Sequence, residues 1–317
     1  MYDRLRMYLL ASREGEFSHL PSLLSQCEER ASKETGEVKY WGKLGNIIVT
    51  VRPSILYLDG SIAKYLYGGS NLYPLDRHTT REAITSLSDA LHISLDEANL
   101  SLIEFGYNFL MQYPPREYLN LLGEMANRQR YRFNMDSLYY RRYGKAQPDE
   151  YKIYNKVEDA KRKKMEIPTV FSDANLLRAE LCLDKKIAKQ LRVPEAKAHN
   201  LYERDFYQAI KAKFLDCYAS IAKLSSINIE FAEEQITPKE GLYAILGYAL
   251  AILGDGQEIV NKAILQMKAE GRLKGKNDLG RLRQMATKAL TMAKRGEENP
   301  LLRELNDCFV NLKANAP

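Results

Sequence analysis

Three segments alternate apolar and polar residues with the two-residue period of β-strands that bury one face. They lie at residues 99–109, 150–156 and 176–183. Each carries reactive chemistry on its polar face, namely Glu104 in the first segment, Lys152, Tyr154 and Lys156 in the second, and Arg178 and Glu180 in the third. The pattern therefore predicts three strands that turn carboxylates, cations and a phenol away from the core.

The remaining pattern predicts how the rest of the chain is organised. Strands are predicted at residues 2–10, 37–44, 46–52 and 55–58, and helices at residues 80–92, 116–124 and 196–224. From about residue 224 nearly every segment has the helical period, with helices at residues 242–253 and from about residue 278. This order predicts an α+β fold, an antiparallel sheet with helices on one face followed by an all-helical C-terminal region. We expect two domains, residues 1–223 and residues 224–317.

The apolar run at residues 242–253 does not indicate a membrane span, because a helix needs roughly 20 residues to cross a bilayer. The N-terminus alternates in polarity and lacks the continuous apolar segment of a secretory signal. We therefore expect a cytoplasmic protein with no membrane partner.

Charge points to an anionic partner. The formal net charge is +6 and the sequence pI is about 8.9. Lysine and arginine gather between residues 128 and 164, with tyrosine and phenylalanine among them. Cations can neutralise phosphates, and aromatic rings can stack on unpaired bases. A solvated basic loop beside core tyrosines has the same composition, so charge alone favours nucleic acid without deciding.

The positions of the histidines and cysteines exclude two kinds of metal site. The histidines are isolated from one another, which excludes the nickases that bind their metal through a histidine pair; they are His19, His78, His92 and His199. The four cysteines are scattered without CxxC spacing, so no zinc site or disulfide framework is indicated. A metal would therefore need carboxylate oxygens, which suit Mg²⁺ or Mn²⁺.

On alternation alone, Tyr154 would be interpreted as a tyrosine on a solvated face with no catalytic role, because a sheet with one solvated face ordinarily carries polar and charged residues there. The order of several motifs changes this. Tyr154 is followed by Lys156 and Asp159, an upstream strand reads Leu102-Ile103-Glu104-Phe105, and a downstream strand reads Arg178-Ala179-Glu180. Two further stretches, residues 60–64 and 68–71, read GSIAK and GGSN.

With these motifs the sequence resembles the gene II/X replication proteins of filamentous phages and related plasmid initiators. It resembles, more distantly, the initiators of small staphylococcal rolling-circle plasmids. The likeness covers roughly residues 37–220 and depends on order and spacing. The chain departs from the pattern at Leu102 and Glu104, where those proteins have arginine and aspartate.

The resemblance implies a role for each matched residue. Tyr154 would be the nucleophile, and Lys156, on the same side of an extended strand, would lower its pKa. Glu104, Glu180 and Asp159 would hold Mg²⁺ or Mn²⁺, with Glu158 as an alternative to Asp159. Independently of the resemblance, the concentration of positive charge around the motif marks these cations as candidates to bind DNA: Arg128, Arg130, Arg132, Arg141, Arg142, Lys152 and Arg178.

The resemblance also implies a function. Such a protein nicks one strand at a replication origin, keeps it as a 5′-phosphotyrosine and later rejoins it. Its partners would be supercoiled double-stranded and single-stranded origin DNA, a host helicase and polymerase, and a second copy of the chain as a homodimer. No GxxxxGK[ST] phosphate loop is present, so the chain is not expected to be a helicase.

Two other functions stay open at this point. The substitutions at Leu102 and Glu104 also fit an origin-binding initiator or regulator that has lost competent metal binding. The basic and aromatic segment also fits an RNA-binding protein.

Overall fold

The computed structural model describes residues 1–31, 36–73, 75–142, 149–223, 237–252, 256–273, 275, 277–292 and 299–314. Two predicted helix ends, Leu224 and Leu253, lie outside these residues.

The described strands form one twelve-stranded sheet. The strands are β1 (Tyr2–Leu10), β2 (Ser25–Ala31), β3 (Val38–Leu44), β4 (Ile47–Val51), β5 (Ile55–Ser61), β6 (Asn99–Leu110), β7 (Leu122–Met125), β8 (Arg128–Asn134), β9 (Ser137–Arg142), β10 (Asp149–Asn155), β11 (Leu176–Asp184) and β12 (Ile221–Lys223). Their order in the sheet is β12-β7-β8-β9-β10-β11-β6-β1-β5-β4-β3-β2. The pairings from β7 to β2 are antiparallel.

Helices accompany the sheet and make up the described C-terminal region. They are α1 (Ile62–Leu66), α2 (Arg77–Leu91), α3 (Pro115–Asn120), α4 (Lys156–Arg162), α5 (Ile187–Leu191), α6 (Arg204–Ala219), α7 (Pro238–Ile252), α8 (Gly256–Ala269), α9 (Asp278–Met292) and α10 (Pro300–Ala314). The predicted α+β class, with its antiparallel sheet and helical C-terminal region, is confirmed. Among the described helices, none combines the length and apolar character needed to span a bilayer.

The core lies on the apolar face that the two-residue period predicted. Phe105 of β6 and Tyr151 of β10 are fully buried on that face. Phe214 of α6 packs against both rings, with centroids 5.8 Å from Phe105 and 5.5 Å from Tyr151. Helix α6 therefore covers the apolar side of the central strands and leaves their other face for polar side chains.

Two sequence-based predictions need correction, and one open alternative is replaced by a different structure. The helix predicted at residues 116–124 ends at Asn120, and strand β7 follows it. The helix predicted at residues 196–224 is a 3₁₀ turn (Ala198–Tyr202) followed by α6 and then β12. The segment 128–142, which could have been a basic loop, is the hairpin β8–β9. Helical spacing and strand alternation are hard to distinguish in short segments. The secondary structure of these three segments therefore depends on their contacts in the folded chain, which the local sequence does not reveal.

Strand β10 also ends earlier than the alternation predicted. The Oδ1 atom of Asn155 accepts a hydrogen bond from the backbone N–H of Glu158 at 3.2 Å, which caps the first turn of α4. Lys156 is therefore the first residue of a helix and does not continue the strand.

Backbone contacts divide the chain into two compact units, Met1–Ala222 with Asp307–Pro317, and Lys223–Asn306. In the first unit, Phe309 of α10 stacks on Tyr218 of α6 with ring centroids 3.5 Å apart. In the second unit, α7 packs on α9, and Glu240 pairs with Lys288 at 3.3 Å. The proposed domain boundary at residue 223 stays a prediction about independent folding.

A buried ion pair ties β8 to β10 on the apolar side of the sheet. The Asp149 carboxylate accepts from Arg128 at 2.7 Å and from Arg142 at 2.6 Å. Arg128 is only 8% exposed, and Asp149 is buried. Burial alone would raise the pKa of Asp149, but the hydrogen bond from Arg142 and the charge of Arg128 bring the pKa below its usual value.

Replacing Asp149 by alanine should lower the free energy of unfolding by about 3–5 kcal/mol, because Arg128 is left as a buried, unpaired charge. The wild-type contribution should be complete above the usual aspartate pKa of about 3.9 and should fade as the pH falls through the lower folded-state pKa. Urea denaturation of both proteins between pH 7 and pH 3 measures the effect.

Glu28→Ala is the matched control, because Glu28 pairs with Arg30 on the exposed strand β2. Its removal should cost less than about 1 kcal/mol. Equal losses in the two variants would contradict a special role for the buried pair.

Candidate functional site

The site is built where four neighbouring strands bring their polar faces together. In the register of the sheet, Tyr154 of β10 pairs with Arg178 of β11, and Lys152 pairs with Glu180. On the other side of β11, Cys182 pairs with Glu104 of β6. Because directly paired residues point to the same face, the predicted phenol, cations and glutamates share one side of the sheet.

Three carboxylates converge at this point. One oxygen each from Asp3, Glu104 and Glu180 lies within 4.8 Å of the others. Asp3 comes from β1, which is the neighbour of β6 in the sheet. The cluster thus draws one acid from each of three adjacent strands.

A buried guanidinium balances part of this negative charge. Arg178, 2% exposed, donates to Asp3 Oδ2 at 2.8 Å and lies 3.5 Å from Glu180 Oε1. Burial would raise the pKa of Glu180, but the charges of Arg178 and Lys152 bring the pKa below its usual value. The pKa of Glu104 shifts in the opposite direction. Burial and the charge of Glu180 raise it, although Lys152 Nζ lies 3.2 Å from the Glu104 carboxylate.

These residues fit a hard divalent cation. Oxygen-only ligands suit Mg²⁺ and Mn²⁺, and an added positive charge would oppose the repulsion that raises the pKa of Glu104. The Oδ1 atom of Asn71 gives independent support, because it is buried without a hydrogen-bond partner among the described residues, and Asn71 lines a cavity together with the three acids. A buried oxygen of this kind can be satisfied by a cation or by an ordered water.

Tyr154 lies directly beside the cluster. Its hydroxyl donates to Glu180 Oε2 at 3.1 Å, and the residue is 8% exposed. Burial and the charge of Glu180 raise the pKa of Tyr154 well above its usual value. Among the neighbouring charges, Arg178 lowers this pKa but does not offset burial and Glu180, and the lowering effect of Lys156 stays a prediction.

Lys156 still belongs to the site, although it begins α4. Its Nζ lies 6.0 Å from the centre of the Tyr154 ring, and the side chain is almost fully buried. Burial and the nearby charge of Arg178 lower the pKa of Lys156 to about 8. A lysine with this pKa can hold or release a proton near neutral pH.

Asp159 and Glu158, the two predicted alternatives for the third ligand, lie on α4 outside the carboxylate cluster. Asp159 is ion-paired with Arg162 at 2.7 Å and with Lys163 at 2.8 Å. Glu158 is half exposed and pairs with Lys161 at 2.8 Å. Asp159 lines the same cavity as Tyr154, whereas Asp3 occupies the third position of the cluster.

Sequence reasoning missed Asp3, although two signals pointed to it. Asp3 is an acid inside a predicted strand, and the GSIAK and GGSN stretches had no assigned chemistry. The structure supplies that chemistry: the Ser61 hydroxyl donates to Asp3 Oδ1, and Asn71 Nδ2 donates to Asp3 Oδ2 at 2.7 Å. Both stretches therefore orient the Asp3 carboxylate.

A cavity of about 510 Å³ opens over these groups. It is lined by the three clustered acids, by Tyr154 and Tyr139, and by the cations Lys64, Lys152, Lys156 and Lys163. Acidic groups at the centre with lysines around them can hold a cation and an anionic substrate at the same time.

The seven cations predicted to bind DNA fall into two groups. Lys152, Arg178 and Arg141 lie on the face of the sheet that carries Tyr154. Arg128 and Arg142 surround Asp149 on the opposite face, Arg130 donates to the Leu122 carbonyl oxygen at 3.0 Å, and Arg132 donates to Asn120 at 2.8 Å. The burial of Arg128 gives it a role in the interior, where it is not accessible to phosphates.

The site combines a phenol with a carboxylate cluster on the polar face of an antiparallel sheet. Residues 18–205 match the family described as the N-terminal region of the phage replication-associated protein of gene II. The chain belongs to this family, which confirms the resemblance to gene II/X replication proteins. Asp3 lies outside the matched residues.

A similar solved structure is titled as a rolling-circle replication initiator protein from Geobacillus stearothermophilus. It is 10% identical, the match covers 81% of this chain and 96% of that one, and the TM-score is 0.37. No curated protein matches the chain.

Gly106 controls the close packing behind the cluster. It pairs with Glu180, and a Cβ atom at Gly106 would lie 2.3 Å from the Ala179 carbonyl oxygen and 3.0 Å from the Glu180 Cα. Both contacts are with backbone, which cannot move aside without shifting β11. We expect Gly106→Ala to lower the free energy of unfolding by about 1–3 kcal/mol, measured by urea denaturation followed by circular dichroism.

Gly280→Ala is the control, because the position is helical and nothing lies within 4 Å of the added carbon. This substitution should be neutral or stabilise by up to about 1 kcal/mol. A Gly106→Ala protein as stable as wild type would show that β11 adjusts freely.

Proposed function

We propose that this protein is a divalent-metal-dependent enzyme that nicks and rejoins one strand of DNA at a replication origin, with Tyr154 as the nucleophile. The 3.1 Å contact between the Tyr154 hydroxyl and Glu180, within a cluster of three carboxylates, carries the proposal. Membership of a replication-associated family supplies the biological setting.

The proposed chemistry is a transesterification. The Tyr154 oxygen attacks a backbone phosphorus, a bond from phosphorus to the 3′ oxygen breaks, and a 5′-phosphotyrosine forms. Glu180 accepts the hydrogen bond from the phenol and so orients the attacking oxygen, and the phenol loses its proton to the medium as the new bond forms. The 3′ oxygen leaves as a hydroxyl after taking up a proton, and the reverse attack by that hydroxyl rejoins the strand without ATP.

Asp3, Glu104 and Glu180 would hold Mg²⁺ or Mn²⁺ in this scheme. The bound ion would supply positive charge to polarise the scissile phosphate and to favour the tyrosine anion. Lys152 and Lys156 add positive charge on either side of the phenol, where charge develops in the transition state.

The proposal extends to partners. The free 3′-hydroxyl is a substrate for a polymerase, and strand separation would need a helicase, because the sequence has no phosphate loop of its own. Supercoiled origin DNA, in which the two strands separate locally, is the proposed substrate. A homodimer stays a prediction.

Tyr154→Phe should abolish nicking of supercoiled origin DNA and the covalent protein–DNA adduct while DNA binding persists. Removing the hydroxyl eliminates the attacking atom but keeps the ring that packs at the site. Agarose gels separate nicked from supercoiled circles, and denaturing gels detect the adduct. An unchanged level of adduct would rule out Tyr154, and Tyr139 would become the next candidate, because it lines the same cavity.

Tyr151→Phe is the matched control for this experiment. Tyr151 is fully buried on the opposite face of the same strand, and its hydroxyl has no hydrogen-bond partner among the described residues. The variant should nick at the wild-type rate. Binding of origin DNA by the wild-type protein without nicking would instead favour a non-catalytic initiator.

Charge-neutralising substitutions can identify the third ligand. Asp3→Asn, Glu104→Gln and Glu180→Gln should each lower nicking at least ~100-fold, and a higher Mn²⁺ concentration should restore part of the rate, because each removes one negative ligand. Asp159→Asn should have a much smaller effect, since Asp159 pairs with Arg162 and Lys163. Isothermal titration with Mn²⁺ alone measures binding separately from catalysis.

If Asp159→Asn weakened Mn²⁺ binding as much as Glu180→Gln while Asp3→Asn left it unchanged, Asp159 would be the third ligand. That result would restore the assignment that the sequence motif predicted.

A further inference from the structure

An aromatic cluster on the hairpin β8–β9 lies next to the proposed active site without taking part in it. The rings of Tyr131, Phe133 and Tyr139 surround the guanidinium of Arg141, whose carbon lies 5.8, 5.4 and 5.7 Å from the three ring centres. Phe133 and Tyr139 pack edge to face with centroids 4.7 Å apart. We call these four residues the aromatic platform.

The platform shares the face of the sheet that carries Tyr154. Tyr139 pairs with Lys152 of β10 on one side and with Tyr131 of β8 on the other. Tyr139 also lines the cavity that contains Tyr154 and the carboxylate cluster. The platform therefore continues that cavity toward the β8 side of the sheet.

The platform rings are exposed, and the core of the hairpin does not require them. Phe133 is 61% exposed, and Tyr131 and Tyr139 are only partly buried. The apolar face of the same hairpin is filled, because Leu138 and Tyr140 are fully buried. A phenylalanine left in water beside a guanidinium gains little from the hydrophobic effect, so its ring remains available to a ligand.

We propose that the aromatic platform binds unpaired bases of the DNA strand whose backbone lies at Tyr154. This inference rests on the proposed function and identifies the form of its substrate as single-stranded DNA on the β8–β9 side of the nick. Each base has two flat faces that can stack on a ring, and the planar guanidinium of Arg141, which is ion-paired with Glu150, offers a further stacking surface among the rings. In duplex DNA those base faces are covered by neighbouring bases.

The charges around the platform favour a nucleic acid over an apolar protein partner. Lys152 and Lys163 line the cavity beside Tyr139. A strand crossing from the platform to Tyr154 would therefore meet rings for its bases and cations for its phosphates. Stacking depends little on sequence, so the platform would hold the strand without selecting the origin.

The test measures DNA affinity separately from cleavage. In a Tyr154→Phe background, a fluorescently labelled oligodeoxythymidylate and a duplex of equal length are titrated by fluorescence anisotropy at fixed salt. Phe133→Ala should weaken binding of the single strand about tenfold, and adding Tyr131→Ala should weaken it further. Duplex binding should change less than about threefold. Phe133→Trp should restore the affinity, because a larger ring still stacks.

Tyr113→Ala is the control, because Tyr113 is another exposed aromatic residue, 51% exposed, that does not line the site cavity. It should leave both affinities unchanged. An equal loss for single strand and duplex, or no loss in the double variant, would overturn the proposal. Stronger loss for an RNA oligonucleotide than for DNA of the same sequence would overturn it in favour of an RNA site.

The two proposals can fail independently. If the platform variants lose single-strand affinity while Tyr154→Phe still forms the covalent adduct, the platform stands and the nucleophile is wrong. If Tyr154→Phe loses the adduct while the platform variants bind normally, the nucleophile stands and the platform is wrong. Thermal unfolding of each variant within a few degrees of wild type confirms that the hairpin remains folded.

Discussion

The site depends on one buried cation, Arg178. Three acids on adjacent strands repel one another, and burial strengthens that repulsion because the surroundings screen charge poorly. The Arg178 guanidinium contacts two of these acids, Asp3 and Glu180, and donates to Asn108 at 3.2 Å. It keeps Glu180 ionised, whereas Glu104, farther from this cation, has a raised pKa. Because Arg178 does not offset the repulsion at Glu104, the cluster can accept the positive charge of a bound cation in addition to that of Arg178.

The strand-to-helix junction after Tyr154 organises the rest of the site. Because Asn155 starts α4, Lys156 turns inward at the end of β10, and Asp159 is held one turn later. If β10 continued as a strand, Lys156 and Asp159 would extend along the strand direction, away from Tyr154. Strand, cap and helix together place a phenol, an amine and a carboxylate around one cavity within a few residues of chain.

Alternation along single segments was sufficient to place Glu104, Tyr154 and Glu180 on one face, because that inference needs only the two-residue period. Strand bounds such as Tyr2–Leu10 followed for the same reason. Asp3 could not be assigned in this way, since its role depends on β1 lying beside β6. Arg128 illustrates the opposite problem: a run of arginines in the sequence does not reveal which of them will be buried against Asp149. The roles of Asp3 and Arg128 depend on strand pairing between distant segments and on burial, and the local sequence pattern encodes neither.

The order of strands has a consequence for the timing of activity during synthesis. Strand β11 lies between β10 and β6, and β1 lies on the far side of β6, so Asp3 meets Arg178 across 175 positions of the chain. Contacts this distant in sequence form late, because the ends of a long loop must first be brought together. A ribosome-bound fragment that stops before β11 has the tyrosine strand but neither Glu180 nor the balancing cation. Under the proposed mechanism, a nascent chain would be harmless to DNA until the last central strand was inserted.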